Sequence, residues 1–425
     1  MADPFSGDIL AEILKRLPPE SVLRASCVQK SWYHLIRSPF FIDLHYNHHK
    51  KKSKHLLFQN RNYTRFSIHL DNKRWEKYRP HLRFPPLRCM RERKYYQKNY
   101  GTYRGLICFS IRRADTREKK LYLWNPAINK FRSLPKSPKR SNDQFFRHIK
   151  GLAFGYIGQL DDYKVIKLVI NYRAQWKELQ SDYAYVYIYS LSTNSWKTVG
   201  KYDFTRFSSY LLYNSVVVNG VAYWVLRKWY IEENDPCCFQ VIICFDTVNE
   251  TIREIMLPLM SSMKERHGRG YVNLVGEFSE VSLLCVDVEQ EDIICKLWML
   301  EKEGETNKAW TQMIAVNLSY VDQEYRFPIG FNNNLELVLI KHDFEKPGFC
   351  SYDLETQEVT EVVNDSSDLW AYADFEDPEN PRYDYGYDSA FTHFSQEEMQ
   401  PMYVNSFEET LVLLGEEDEV ELKDD

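Results

Sequence analysis

The chain has 425 residues, with 55 Lys and Arg against 60 Asp and Glu and a formal net charge of −5. That balance gives the molecule as a whole no nucleic-acid signature, and the length allows one large domain or two unequal ones. Aromatic residues make up 15% of the chain and gather in short runs of β-favouring side chains, which points to an all-β body.

The N-terminal residues are patterned differently. Residues 9–36 read ILAEILKRLPPESVLRASCVQKSWYHLI. Ile9, Ile13 and Leu17 recur at i, i+4 and i+8, with Leu10 and Leu14 beside them, which is the stripe of an amphipathic helix. Ser6 is placed to cap it, and Pro18-Pro19 ends it and starts the next helix. Val22 and Leu23 face inward from that second helix. Val28, Trp32, Leu35 and Ile36 make a third, and Phe40, Phe41 and Leu44 begin a fourth. Helices this short are marginal alone, and so small a unit cannot hide all of its apolar surface. It is either a cap packed on the body or a docking module completed by a partner protein.

The order EIL-RLP-SVLR-CV-KSW-LI-SP-F resembles the F-box, the module that binds a Skp-family adaptor in cullin ubiquitin ligases. The resemblance implies adaptor contacts from Phe5, Ile9, Leu10, Ile13, Leu14, Leu17, Pro18, Val22, Leu23, Val28, Trp32 and Ile36, with cullin recruited through the adaptor. Phe5 and Ser6 stand where family members usually open with Leu-Pro.

From about residue 100 the apolar period becomes two. One unit recurs: LYLWNPAINKFRSLP at 121, VYIYSLSTNSWKTV at 186, IICFDTVNETIREIMLP at 242, CKLWMLEKEGETNKAWTQM at 295 and FCSYDLETQEVTEVV at 349. A repeat of this length in an all-β chain predicts propeller blades. The pairs between units, NSVVVNGVAYWVL, LVGEFSEVSLLCV and PIGFNNNLELVLI, are expected to link successive blades. A sixth blade is assembled from both ends, EETLVLL at 408–414 with HLLFQN and RFSIHL, with seven blades as the alternative. The signatures NYGTYRGLICFS, LWNPAINKFRSLP, GLAFGYIGQLDDYKVIKLV, VNGVAYWV and YVNSFEETLVLL make this body similar to the F-box-associated domain of plant F-box proteins, including the S-locus F-box group and kelch-repeat-like relatives. The expected architecture is an all-α F-box at 1–48, a basic linker at 49–54, an all-β propeller at 55–415 and an acidic tail at 416–425.

Long loops on a rigid scaffold carry recognition, so the substrate is expected on the propeller face that bears them. The longest, within 364–402, interleaves acids with Trp370, Tyr372, Phe375, Tyr383, Tyr385 and Tyr387. It reads either as a solvated acidic insertion or as a contact surface of aromatic anchors and steering carboxylates. Arg112 and Arg113 belong to the same face. The S-locus resemblance implies a basic secreted ribonuclease as one substrate; immune or hormone-pathway receptors and non-degradative scaffolds are the alternatives.

No nucleophile elbow, phosphate loop or metal-ligand spacing occurs, so the expectation is a non-catalytic receptor without cofactor or metal. The paired acids of LDDYK at 160–164 fit a turn between blades, and His45, His48 and His49 read as a solvated basic helix end. Nine cysteines show no disulfide or zinc framework and read as free thiols. MADPFSGD is no signal peptide and no apolar run is long enough to span a membrane, so a cytoplasmic or nuclear location is expected.

Overall fold

The computed structural model describes residues 6–50, 55–59, 66–72, 75–76, 78, 95–113, 119–138, 146–173, 182–204, 209–232, 235–258, 271–276, 280–289, 292–301, 310–320, 325–341, 349–362 and 403–412. Four helices come first: α1 (Gly7–Leu14), α2 (Pro19–Ala25), α3 (Lys30–Ile36) and α4 (Pro39–Lys50). Ser6 caps α1, its Oγ accepting from the Ile9 N–H at 3.4 Å, and Pro19 occupies the first turn of α2, where a missing N–H leaves nothing unsatisfied.

After β1 (His55–Gln59) and β2 (Phe66–Leu70), five antiparallel sheets of four strands follow in chain order. They are β3 (Tyr95–Tyr103), β4 (Leu106–Arg113), β5 (Lys119–Asn125) and β6 (Lys130–Ser133); β7 (Phe146–Ile157), β8 (Asp162–Arg173), β9 (Asp182–Ser190) and β10 (Ser195–Phe204); β11 (Ser209–Val218), β12 (Val221–Glu232), β13 (Asp235–Asp246) and β14 (Thr251–Met256); β15 (Tyr271–Val275), β16 (Ser282–Glu289), β17 (Asp292–Leu300) and β18 (Trp310–Asn317); and β19 (Tyr325–Phe331), β20 (Leu337–Lys341), β21 (Phe349–Tyr352) and β22 (Val359–Val362). Finally β23 (Tyr403–Phe407) pairs with β1, giving a three-stranded sheet in the order β2-β1-β23. The contacts β3–β7, β7–β11, β11–β15, β19–β23 and β23–β3 set the first strand of each blade, and β23 in the last sheet, at the centre of a ring.

The body is therefore a propeller of five complete blades and a sixth, three-stranded sheet drawn from both chain ends. The outer edge of that sheet is met by an irregular segment: the Leu70 N–H donates to the Glu76 carbonyl at 2.8 Å and the Tyr78 N–H to the Ile68 carbonyl at 2.9 Å. Two expectations are corrected. The closing strand is 403–407, not 408–414, because Leu57 and Phe58 take Asn405 and Val404 as their register partners. The turns at Asn219-Gly220 and Asn332–Asn334 join strands one and two within a blade rather than successive blades. The repeated sequence unit is the outer hairpin, strands three and four, so the pair between two units supplies the next blade's inner strands.

Local chemistry explains the hairpins. In the first-to-second-strand turns, Arg104-Gly105 (φ +41° and +73°) and Asn219-Gly220 (+49° and +81°) are left-handed at both central residues, the turn that matches strand twist. In the third-to-fourth-strand turns, the residue entering strand four is left-handed at Asn129, Asn194 and Glu250, and in the fifth blade Gln357, two residues before β22, is left-handed. Neighbouring blades are tied at their outer strands: the Trp196 indole N–H donates to the Pro135 carbonyl (2.7 Å), the Tyr202 hydroxyl to the Glu250 carbonyl (2.8 Å) and the Trp310 indole to the Met256 carbonyl (2.8 Å). The cores between blades are apolar, with Trp224, Val241, Ile243 and Phe245 in the largest cluster. Cys108, Cys244, Cys285, Cys295 and Cys350 are buried free thiols.

Candidate functional site

The helical head divides its apolar residues between two jobs. Leu10, Leu14, Val22, Ile36 and Phe41 are buried in its core, with Leu17, Leu23, Trp32 and Leu35 packed against them. Ile9 (53% exposed), Ile13 (48%), Val28 (65%) and Phe40 (63%) point out. These are four of the ten large apolar side chains exposed among the described residues, although the head is a small fraction of the chain. That concentration is what a docking face requires. Pro18 is exposed as well, and Phe5 lies outside the described residues. Of the twelve side chains expected to meet an adaptor, Leu10, Leu14, Val22 and Ile36 thus hold the head together, while Ile9, Ile13, Pro18 and Val28 are free to meet a partner.

The histidines of α4 do not form a solvated helix end. His45 is fully buried; its Nε2 lies 2.9 Å from the Leu17 carbonyl, and His49 Nε2 lies 2.9 Å from the Lys15 carbonyl. The Lys15 carbonyl is at the C-cap of α1 and the Leu17 carbonyl lies in the turn just after it, and the two imidazoles meet these carbonyls where helical partners have run out. Burial, opposed by the bond to Leu17, pushes the His45 pKa down to about 4. His45 is therefore neutral at physiological pH, with its proton on Nε2 facing the carbonyl.

The head sits on the tight-turn face of the propeller. Ile128, from the turn between β5 and β6, and Leu411 complete its buried cluster. The residues after β23 form a strap. The Tyr46 hydroxyl of α4 donates to the Glu408 carboxylate, and the Tyr78 hydroxyl donates to Glu409 at 3.3 Å. The buried Asn125 amide donates to the Thr410 carbonyl (3.0 Å) and the Val412 carbonyl (3.1 Å). The Arg104 guanidinium lies over the rings of Tyr46 (4.9 Å) and Tyr156 (3.8 Å). Burial and the neighbouring Glu408 carboxylate push the Tyr46 hydroxyl far above its ordinary pKa, so it stays a hydrogen-bond donor. Sequence reasoning missed this junction: Glu408 to Val412 read as part of a strand because the apolar run from Leu411 to Leu414 belongs to it.

Strand order places every turn between strands one and two, and between three and four, on the head's side. The connections between strands two and three and between blades lie on the other side. Most long connections are on that opposite face, at 114–118, 134–145, 174–181 and 257–270, but β12–β13 and β16–β17 are joined by two residues each and the β17–β18 connection, 301–309, lies on the head's side, so the expected division by loop length holds only in part. Arg112 and Arg113 end β4 on the long-loop side, with Lys119 the register partner of Arg112. Trp370, Tyr372, Phe375, Tyr383, Tyr385 and Tyr387 lie outside the described residues.

Asp162, the second acid of LDDYK, starts a strand inside a blade and is not in an inter-blade turn. Its buried carboxylate accepts from Lys164 (2.7 Å), the Ser192 N–H (3.0 Å), the Ser192 hydroxyl (2.8 Å) and the Ser190 hydroxyl. Burial alone would raise its pKa, but these bonds outweigh it and hold the group below the ordinary carboxylate range. The bonds from Ser190 and Ser192 tie the start of β8 to the end of β9 and the turn after it, which suits a fold staple. Among the described residues no three His, Cys, Asp or Glu side chains gather so as to hold a metal ion, and no helix is long and apolar enough to cross a membrane.

A helical head with an exposed apolar side is thus fixed to one face of a propeller, and most of the long connections occupy the other. The F-box domain model matches residues 7–43 and the F-box associated beta propeller domain model matches residues 54–400. The chain belongs to the F-box-associated propeller family of F-box proteins. Among its relatives are three Arabidopsis thaliana proteins. F-box protein CPR1 is 26% identical over 371 residues, covering 83% of each chain. F-box protein At5g49610 is 26% identical over 321 residues, 74% of this chain and 79% of the relative. F-box/kelch-repeat protein At3g23880 is 24% identical over 331 residues, 73% and 78% of the two. An F-box implies docking to a Skp-type adaptor and assembly with cullin, and neither matched domain is a catalytic one.

Proposed function

We propose that this protein is the substrate receptor of a Skp–cullin–F-box ubiquitin ligase and contributes no catalytic group of its own. The head meets the adaptor through Ile9, Ile13, Pro18 and Val28, with the exposed Phe40 beside them. The long-loop face holds a protein substrate. The observation that carries the reading is the concentration of exposed apolar side chains on a head already packed to the propeller by its other side. Its part in ubiquitination is proximity: a tethered substrate lysine meets the conjugating enzyme at an effective concentration of roughly millimolar order.

Acid-rich and aromatic-rich residues within 364–402 favour a substrate with a basic surface. A basic secreted ribonuclease is one protein of that kind, and it is the substrate the S-locus resemblance suggests; the relatives named above do not favour it over others. A site of action in cytoplasm or nucleus accords with partners of this kind.

The test is direct binding of purified full-length chain to a purified Skp-family adaptor. Ile13→Arg with Val28→Arg should abolish binding and leave the melting temperature unchanged, because both side chains are exposed. Wild-type protein that fails to bind any adaptor would leave the scaffold alternative in its place.

A further inference from the structure

The F-box head precedes the propeller in the chain, yet its core is closed by the last described residues. Leu411 is 1% exposed and packs in the same cluster as Leu10, Leu14, Val22, Ile36 and Phe41. The strap residues tie the head to the propeller: Glu408 bonds α4, Glu409 bonds the segment beside β2, Thr410 and Val412 both bond Asn125, and Leu411 packs into the head. Glu409 and Thr410 are themselves buried, at 4% and 1% exposure. The strap follows β23 directly, so it reaches this place only when β23 has paired with β1 and the propeller ring is closed.

We infer that the head reaches its adaptor-docking form only when the strap 408–412 is seated, so that docking competence reports closure of the propeller. A head of this size buries too little surface to be firmly folded alone. Without the strap, Leu411 leaves a hole against α1 and α4, Tyr46 loses its acceptor, and Asn125 loses both carbonyls. Chains that are incomplete or misclosed would carry a loosened head and escape assembly into a ligase. In its consequence for docking the inference rests on the receptor reading above; its structural content stands apart from that reading.

Gly105 gives a lever outside the head. A Cβ there would lie 2.3 Å from the Glu408 carbonyl oxygen and 2.9 Å from the Thr410 methyl, so Gly105→Ala must displace the strap. Gly220→Ala is the matched control: it imposes a side chain on a similar left-handed glycine (φ +81°) in a turn of the same kind, where the nearest atom is the movable Gln159 side-chain oxygen at 3.2 Å. Amide hydrogen exchange in the full-length chain is measured over α1, α2 and α4, with β12 as the reference, alongside affinity for a purified Skp-family adaptor.

In Gly105→Ala, head exchange should quicken by about 30-fold or more relative to β12, with adaptor affinity falling in step, as expected when a buried leucine's packing is lost. Gly220→Ala should leave the head as in wild type. Should Gly105→Ala fail to fold, Leu411→Ala, which leaves the turn intact, is measured instead and should give the same selective loosening. Unchanged head exchange with the strap displaced, or equal loosening in the Gly220→Ala control, overturns the inference. Wild type that binds no adaptor while the exchange contrast persists refutes the receptor reading and leaves the structural inference standing.

Discussion

Mild acid should open the head before it opens the propeller, through His45. In the unfolded chain this imidazole takes up a proton below its ordinary pKa near 6.5; in the folded head it resists until about 4. Between those values the unfolded state binds more protons, so stability is fully present at neutral pH and is lost as the pH falls through that window. Between pH 7 and pH 5 the loss comes to about 2 kcal/mol, or about a 20-fold rise in the opening equilibrium of the head. The structural cause is specific. Protonation adds an N–H at Nδ1, which is buried without a hydrogen-bond partner among the described residues, and puts a charge beside the His49 ring stacked at 4.4 Å. The assay is hydrogen exchange of α1 and α4 at both pH values, corrected for the intrinsic pH dependence of exchange and referenced to β12. His45→Phe should flatten the pH dependence, while lowering head stability at pH 7 by about 1–2 kcal/mol because the Leu17 carbonyl loses its donor. Parallel changes in the head and β12, or a pH response that survives His45→Phe, would refute the reasoning.

Three further outcomes follow from the geometry. Leu17→Ala with Pro18→Ala should weaken adaptor binding and, unlike Ile13→Arg with Val28→Arg, also quicken exchange in α1, because Leu17 packs on the head core. Gln357 holds a left-handed conformation (φ +61°) with an exposed side chain, so Gln357→Gly should raise stability by up to about 1 kcal/mol in urea unfolding. At Gly330 a Cβ would lie 2.6 Å from the Val404 carbonyl oxygen, so Gly330→Ala should force the closing sheet away from the fifth blade and cost about 2 kcal/mol or more, read as a lower urea midpoint.

Much of this fold was legible because its signals are local. Helical spacing and Pro18-Pro19 marked α1 and α2. Asn-Gly and the polar turns of the repeated unit marked hairpins, and the unit's recurrence gave the blades. The grouping of units into blades was not legible, because an outer hairpin and an inner hairpin look alike when both alternate with period two. The register of closure was not legible because YVNSF at 403–407 and EETLVLL at 408–414 both carry β-favouring apolar residues, and only pairing with β1 separates them. His45 was misread because it stands with His48 and His49 beside the lysine run; its partner, the Leu17 carbonyl, is 28 residues away. The docking face was legible as a stripe, but which side of the stripe stays exposed depends on Ile128 and Leu411, both far off in sequence.

The separation of the two ends follows from strand parity. A blade of four antiparallel strands returns the chain to the face it started from, so every inner strand runs the same way and ends at the tight-turn face. β23 is the inner strand of the last sheet and obeys the same direction: Phe407, its final residue, pairs with His55, the first residue of β1. The helical head, which leads into β1, and the strap, which leaves β23, must therefore meet on one face, and the connections between blades must lie on the other. Closure at 403–407 rather than at 408–414 is what leaves five residues free to act as the strap. A closing strand shifted to 408–414 would draw Leu411 and Asn125's two carbonyl partners into the sheet, and the head would have no seat on the propeller.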